Sequence, residues 1–548
     1  MNLINRFAQR EFSSYEDFDK NFKINVPENF NYGFDVIDEY ARLCPGQRAL
    51  LWCDDKGAEK TFSFGDISRL SNKAAQAFLK NGIKKGDTVL LMLKRRYQFW
   101  YLIIALHKIG AIAVPSTHLL TEQDLDFRIK QADVKMIVAV DDDNIINHVD
   151  LAVAKNPSVM RAAVMKTPDG YIDFDAEIES APDITPERCT VNTDPMLVYF
   201  TSGTTSHPKM AEHIYTYPLG HILTAAFWQD LRDTDLHFTM ADTGWAKCAW
   251  GKLYGQWLCG ATVFVYDYDS RFKPTDVLPL IGKYGITTFC APPTIYRFFI
   301  KEDLSKYDLS SLRATYIAGE PLNAEVYRQW LSITGIELRE GFGQTETPVI
   351  LATFPWLTPK PGSAGKPSPW LGVRLISKET GEECEVGEEG EICIDISSGI
   401  PVGIVNRYRS NPEATAKVTE GGYYHTGDMA WKDEDGFFWF IGRDDDVIKS
   451  SGYRIGPFEV ESALMEHPAV LETAITAVPD PERGQIVKAT VVLARGYTAS
   501  DELKKELQNH VKKVTAPYKY PRIVEFVDEL PKTISGKIKR KQIRDESN

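Results

Sequence analysis

Between residues 67 and 140 the chain alternates two hydrophobic rhythms. Residues 67–79 carry apolar side chains at helical spacing and stop near Gly82, and the next run, Val89-Leu90-Leu91-Met92-Leu93, is short and wholly apolar, as a buried strand is. A helix is expected over residues 97–109, ended by Gly110, then a strand around Ile112, Ala113 and Val114, a helical stretch from Glu122, and a strand over 136–140. Helices alternating with fully apolar, β-branched strands predict a parallel sheet covered on both faces. The rhythm returns at 261–266, 287–290 and 315–318. Ligands of such sheets lie beyond the carboxyl ends of the strands, so the loops after Phe200, Ala291, Ala318 and Arg339 are expected to share one crevice.

From residue 363 to 441 the pattern changes to short strands and turns (372–376, 391–396, 437–441), a β-rich subdomain. Beyond it Pro457 opens a helix as a favourable first-turn residue. Strands follow at 473–478 and 487–493, and Leu503, Leu507, Val511 and Val514 fall on one face of an amphipathic helix before a strand at 523–527. The expected fold is α/β: a large N-terminal domain of mixed and parallel α/β subdomains plus the β-rich subdomain (1–444), and a small, mobile α+β C-terminal domain (445–548). The boundary falls at Asp444-Asp445-Asp446, which has the look of a hinge.

At 548 residues the chain exceeds what one core supports, and its 43% hydrophobic and 25% charged content is that of an ordinary globular protein. A net charge of −13 with no basic half argues against nucleic acid or an anionic membrane as the main partner. The basic residues between Lys532 and Arg544 lack interleaved aromatics, so they read as a solvated tail or as one presented lysine rather than a nucleic-acid patch. Eight scattered cysteines without a CxxC pair suggest neither zinc nor a redox centre. The N-terminus has no apolar core of signal length and no run reaches the roughly 18 apolar residues of a membrane span, so a cytoplasmic protein is expected, with homo-oligomerisation left open.

Several stretches carry candidate chemistry. TSGTTSHPK (201–209) follows an apolar strand and offers hydroxyls from Thr201, Ser202, Thr204 and Thr205, the backbone freedom of Gly203 and the charge of Lys209, which suit a polyphosphate; a plain surface turn has the same composition. AGEPL (318–322) bends straight after a strand and could lie against a flat ring. EGFGQTET (340–347) concentrates an aromatic, an amide, hydroxyls and carboxylates that are costly to bury without a ligand, and Glu346 is its candidate for a hard cation such as Mg²⁺. In YHTGD (424–428), Asp428 can accept from both hydroxyls of a ribose, or simply close a turn.

In this order, with GRDDDVIKSSGYRI (442–455) and PKTISGKIKR (531–540), these motifs resemble those of the adenylate-forming superfamily of acyl-CoA synthetases, luciferase and peptide-synthetase adenylation domains. Asp242-Thr243-Gly244-Trp245 is similar to the signature of the medium-chain branch. The resemblance implies an AMP-forming acid-thiol ligase that joins a carboxylic acid to coenzyme A through an acyl-adenylate. It implies that the 201–209 loop grips the β- and γ-phosphates of ATP and that Glu346 holds Mg²⁺. Gly319, Glu320 and Pro321 would enclose adenine with Gly341 and Phe342; Glu340, Gly343 and Gln344 would also belong to the cofactor site, and Thr345 would touch the α-phosphate or acyl carbonyl. Asp428 and Arg443 would take the ribose, Arg454 would support the phosphate, and Lys537, with Lys209 and Thr345, would be catalytic. For the thioester step the small domain is expected to turn about Asp445, bringing Ser451, Gly452 and Tyr453 to a pantetheine channel and Arg483 to the CoA nucleotide.

Acetate-specific relatives carry a tryptophan where this chain has Gly343, so a deeper acyl pocket is expected, walled by Trp245, Phe342 and the His213–Tyr217 region and fitting medium-chain or branched acids; aromatic acids and transfer to another acceptor are the alternatives. Ser206 and His207 depart from the usual phosphate loop, where glycine commonly stands at the position of Ser206.

Overall fold

The Ser63 hydroxyl accepts from the Asp66 amide and Asp66 returns the bond to the Ser63 amide, a capping box that fixes the start of helix Phe64–Lys80. Helix Gln98–Ile109 ends at Gly110, whose φ of 78° is the left-handed conformation that stops a helix. Every residue of this second helix is buried, polar Gln98, His107 and Lys108 included. A helix that is apolar nearly all round must be covered on all sides, and this one belongs to a core that takes side chains from two separate sheets.

The computed structural model describes residues 2–201, 208–269, 272–451, 453–532 and 538–547. One sheet runs in the order Arg407–Tyr408, Lys209–Ile214, Pro195–Thr201, Ile112–Pro115, Thr88–Met92, Val134–Val140, Met160–Val164, Ile172–Asp173. From Pro195–Thr201 onward it is parallel. A second has at its centre the parallel strands Leu338–Phe342, Ala314–Ala318, Thr288–Ala291, Leu236–Thr239, Thr262–Asp267 and Arg48–Asp54. The β-rich part is an antiparallel sheet of Val373–Ile376, Glu389–Asp395, Tyr423–Lys432 and Phe438–Arg443. The C-terminal unit has its own core, with Pro457–Met465 and Asp501–Val514 packed on a mostly antiparallel sheet.

The expected strands are present within a few residues, but distributed over two parallel sheets. Several further strands escaped the sequence pattern, two of them bearing on the site. Arg48–Asp54, from the N-terminal region, pairs with Thr262–Asp267. Lys209–Ile214 returns antiparallel to Pro195–Thr201, so Thr201 stands opposite Lys209. No helix among the described residues is long and apolar enough to cross a membrane.

The two parallel sheets meet at the Asp242-Thr243-Gly244-Trp245 turn. The Thr243 hydroxyl donates to the Lys94 carbonyl, Arg95 pairs with Asp242 at 3.3 Å, and a Cβ on Gly244 would lie 2.2 Å from the Thr117 amide nitrogen. The signature is thus a seam in which backbone touches backbone. Within the second sheet, Glu340 is buried; its Oε1 accepts weakly from the Leu322 amide at 3.3 Å, its Oε2 meets no partner among the described residues, and burial raises its pKa to about 8.

Two outcomes follow. Gly244→Ala has only backbone to push against, so it should destabilise by about 3 kcal/mol, the upper end of overpacking costs, read as a lowered thermal midpoint at fixed scan rate. Folded chain holds the Glu340 proton to about pH 8, whereas unfolded chain releases it near 4.5. Stability from this group is therefore full below pH 4.5 and lost as pH rises toward 8. Glu340→Gln should match the parent midpoint near pH 4.5 and exceed it progressively up to pH 8; parallel curves would refute the assignment.

Candidate functional site

The carboxyl ends of both parallel sheets, the β-rich sheet and the C-terminal unit open onto one crevice of about 1950 Å³. Thr201 and Lys209 enter it from the first sheet; Pro292 and Thr294, Gly319, Glu320 and Pro321, and the stretch from Glu340 to Glu346 enter it from the second. Three of the four loops expected to converge do so, and Thr201 and Lys209, the flanks of the fourth, line the same crevice. Ser202, Gly203, Thr204, Thr205, Ser206 and His207 lie outside the described residues.

Lys209 places its ammonium 4.9 Å from the centre of the Tyr408 ring, and the Tyr408 hydroxyl donates to Glu346 Oε1 at 2.8 Å. Burial raises the pKa of Glu346, against the pull of Arg443 and Lys209. A buried carboxylate that opens on a crevice and lacks a full countercharge is a fitting ligand for a hard cation, which would hold it ionised. Tyr408 was not anticipated: nothing in the run Asn406-Arg407-Tyr408-Arg409 marks it, since its role comes from a strand pairing with Lys209–Ile214.

Gln344 joins the EGFGQTET and YHTGD motifs. Its Nε2 donates to Asp428 Oδ2 at 2.5 Å and to the Thr426 carbonyl at 2.8 Å, and its Oε1 accepts from Tyr424 at 3.0 Å. Arg443 donates to the Thr426 carbonyl at 3.0 Å and stands 3.5 Å from Asp428. Behind them Glu391, also unforeseen, accepts from the Gly427 amide at 2.7 Å and meets His425 at 3.0 Å, which fixes the turn that carries Asp428. Glu320 is held by Thr294 at 2.8 Å, and Lys247 donates to the Ala318 carbonyl at 2.6 Å beneath Gly319.

The acyl side differs from expectation in one respect. A Cβ at Gly343 would lie 2.3 Å from the Trp250 indole and 2.5 Å from the Pro348 carbonyl. The missing side chain therefore makes room for Trp250, whose Nε1 donates to the Thr347 carbonyl at 3.0 Å, and does not by itself leave an open channel. Trp245, Phe342, Tyr199 and Trp250 line the crevice. His213 and Tyr217 stand one layer behind, with His213 on the Thr345 carbonyl at 3.0 Å.

Residues assigned to the two half-reactions are on different faces. Lys537 lies outside the described residues, but Lys532 and Ile538 on either side of it line the crevice, as does Asp445. Arg544 donates to the Asp445 carbonyl at 3.0 Å. Ser451, Tyr453 and Arg483 do not line the crevice: Arg483 donates to the Ser451 hydroxyl at 3.1 Å, and Tyr453 stacks on Tyr518 at 4.2 Å, half exposed. Gly452 lies outside the described residues. Arg454, expected near phosphate or substrate, is instead engaged at 2.9 Å by Glu379 on the β-rich sheet. In this orientation the strand of Arg454 faces the acidic turn that carries Glu379, between Val373–Ile376 and Glu389–Asp395.

Residues 37–399 match the AMP-binding enzyme family and residues 459–537 its C-terminal domain. The chain is 41% identical over 546 residues to the mitochondrial acyl-coenzyme A synthetase ACSM3 of Mus musculus, covering 98% of this chain and 93% of that protein. It is 43% identical over 535 residues to mitochondrial ACSM4 of the same organism, covering 95% and 91%. Among solved structures, an anthranilate CoA ligase with anthranoyl-AMP superposes with TM-score 0.87 at 28% identity, over 95% of this chain and 98% of that one. An acyl-CoA synthetase of Brucella canis superposes with TM-score 0.73 at 31% identity, over 98% and 99%. The expectation of a cytoplasmic location is overturned by these curated relatives, which carry a mitochondrial designation. With the motifs in one crevice and both family regions matched in order, the chain belongs to the AMP-binding enzyme family, in its acyl-CoA synthetase branch.

Proposed function

We propose that this enzyme ligates a medium-chain or branched short-chain carboxylic acid to coenzyme A, consuming ATP to AMP and pyrophosphate through an acyl-adenylate. The observation that carries the reading is the single crevice onto which Lys209, Glu346, Asp428 and Pro321 open from the large unit and the flanks of Lys537 from the small one. In the first step the acid's carboxylate attacks the α-phosphorus and pyrophosphate leaves. Negative charge builds on the phosphoryl oxygens, and two lysines, Lys209 and Lys537, would neutralise it. Lys209 takes the β- and γ-phosphates with Thr201, and Lys537 takes the α-phosphate and the acid. Asp428 and Arg443 hold the ribose, in the geometry Gln344 and Glu391 impose, and Gly319–Pro321 with Phe342 cover the base. Glu346 would hold Mg²⁺, which when bound supplies charge neutralisation on the leaving pyrophosphate.

The second step needs a thiol at the acyl carbonyl, in the crevice that Lys532 and Ile538 of the small unit now line. Ser451, Tyr453 and Arg483 point elsewhere in this orientation, so the unit must turn about Asp445 to present them. The domain division at 444/445 belongs to this proposal. An aromatic acid is the second reading, favoured by the Tyr199, Trp245 and Trp250 wall and by the anthranoyl-AMP held by a similar structure.

Lys537→Ala should lower acid-dependent pyrophosphate release at least 100-fold, roughly 3 kcal/mol of transition-state stabilisation, while thioester formation from supplied acyl-adenylate stays within about threefold. Loss of both half-reactions alike, or of neither, would reject the role. Gly343→Trp should lower the thermal midpoint instead of cleanly shortening the acid preference, because the new ring meets Trp250. Adding Trp250→Gly should restore the midpoint and shift the optimum toward shorter acids, measured by pyrophosphate release across an acid series.

A further inference from the structure

The layer behind the acyl wall is polar, and its polar atoms are not spent on one another. Tyr199, Tyr217, His213 and His221 are each no more than 2% exposed. Tyr199 Oη, Tyr217 Oη, His213 Nδ1 and His221 Nε2 have no hydrogen-bond partner among the described residues. The rings form one cluster: His213 on Tyr217 at 3.9 Å, Tyr217 edge-on to His221 at 4.7 Å, and His221 against Trp250 at 6.1 Å. Tyr199, 6.4 Å from His213, lines the crevice itself. A purely aliphatic pocket gains nothing from such a layer, because each buried polar atom left unpaired costs stability that a phenylalanine or leucine would not.

The chemistry of the unpaired atoms is specific. His213 Nε2 faces the Thr345 carbonyl at 3.0 Å. A carbonyl only accepts, so Nε2 carries the proton and Nδ1 presents a lone pair. Burial keeps this imidazole neutral and both tyrosines protonated. The cluster therefore offers donors from Tyr199 and Tyr217 beside an acceptor on His213, the complement of a group that both accepts and donates. Resting on the acyl-CoA synthetase reading above, we infer that the acid this enzyme selects carries a hydroxyl or amino substituent on its acyl part, with Tyr199 as the residue that reads it from the crevice wall. Tyr217 and His213 form the second rank that such a substituent, or a water it brings, completes. The discrimination works chiefly by rejection: an acid with a methyl group in that place leaves the tyrosine hydroxyls unpaired in a dry site.

The test pairs acids that differ only there, the hydroxybenzoic against the methylbenzoic isomers and hydroxyhexanoic acids against their methyl counterparts, with kcat/KM read by pyrophosphate release from the full chain. Wild-type enzyme should favour the hydroxyl member of at least one pair by tenfold or more, and Tyr199→Phe should reduce that ratio at least tenfold. Tyr217→Phe should reduce it in the same direction, and serves alone if the Tyr199 variant does not fold, as its thermal midpoint will tell. Preference for the methyl member in every pair would overturn the inference, as would a ratio unmoved by either substitution, which would assign the unpaired atoms to resident water. Neither result touches the parent reading, which fails only if no acid drives pyrophosphate release.

Discussion

Two tryptophans occupy the space that side chains at Gly341 and Gly343 would fill. A Cβ on Gly341 would lie 2.4 Å from Trp228, and one on Gly343 lies 2.3 Å from Trp250. The indoles are set edge to face at 6.4 Å, and their N–H groups are spent on the Arg339 and Thr347 carbonyls. The strand bearing the EGFGQTET motif is thereby pressed against the helical turn Leu223–Trp228, which follows Lys209–Ile214, and the helix Ala246–Lys252, which follows Leu236–Thr239. From that contact follow the height of the crevice floor, the place of Gln344 and Glu346, and the shape of the acyl wall. Interiors are close-packed, so such a contact is bistable and not adjustable: the glycines and the tryptophans must change together or not at all.

The polar part of the site is built differently. Gln344, Asp428, Tyr424, Arg443 and Glu391 each take their position from another member of the set. Such a network is stiff when complete and costly when one member is lost. It also joins two structural units, since Gln344 follows a strand of the second parallel sheet and Tyr424, Asp428, Glu391 and Arg443 belong to the β-rich sheet. Lys378 extends the chain of charges from Glu391 at 3.5 Å to Asp444 at 2.8 Å. Asp428 and Arg443, proposed for the ribose, and Asp444, next to the proposed pivot, are thus tied to the same sheet.

What could be read from the sequence was whatever local pattern dictates. The 3.6 and 2 periodicities gave the helices at 64–80 and 98–109 and most of the parallel strands, because burial on both faces leaves a continuous apolar run. The convergence of the loops after Ala291, Ala318 and Arg339, with the flanks of the loop after Phe200, followed from the direction of parallel strands alone. Pairings between distant segments were not legible. Nothing near Arg48 announces that its strand will lie beside Thr262–Asp267, and Tyr408 and Glu391 carry no local mark of standing under the site. The reading of Gly343 as open space failed for the same reason: an absent side chain says only that something else comes close, and Trp250 is ninety-three positions away.

The position of the small unit explains why one crevice can serve two chemistries. Its contacts with the large unit include the polar pairs Arg454 on Glu379 and Asn323 on the Ser462 carbonyl at 3.1 Å, and one aromatic contact, Phe458 on Phe440 at 6.4 Å. Exposed or half-exposed pairs of this kind are worth little individually, about 0–1 kcal/mol each, and they exchange readily for water. The apolar core of the small unit is closed on itself, around Ile448, Val460, Leu464 and Leu507, so turning the unit uncovers no large apolar surface. A low cost of undocking is what the proposed two-step reaction needs if the lysine of its first step is to make way for a thiol in its second, and a small unit whose core is closed on itself favours it.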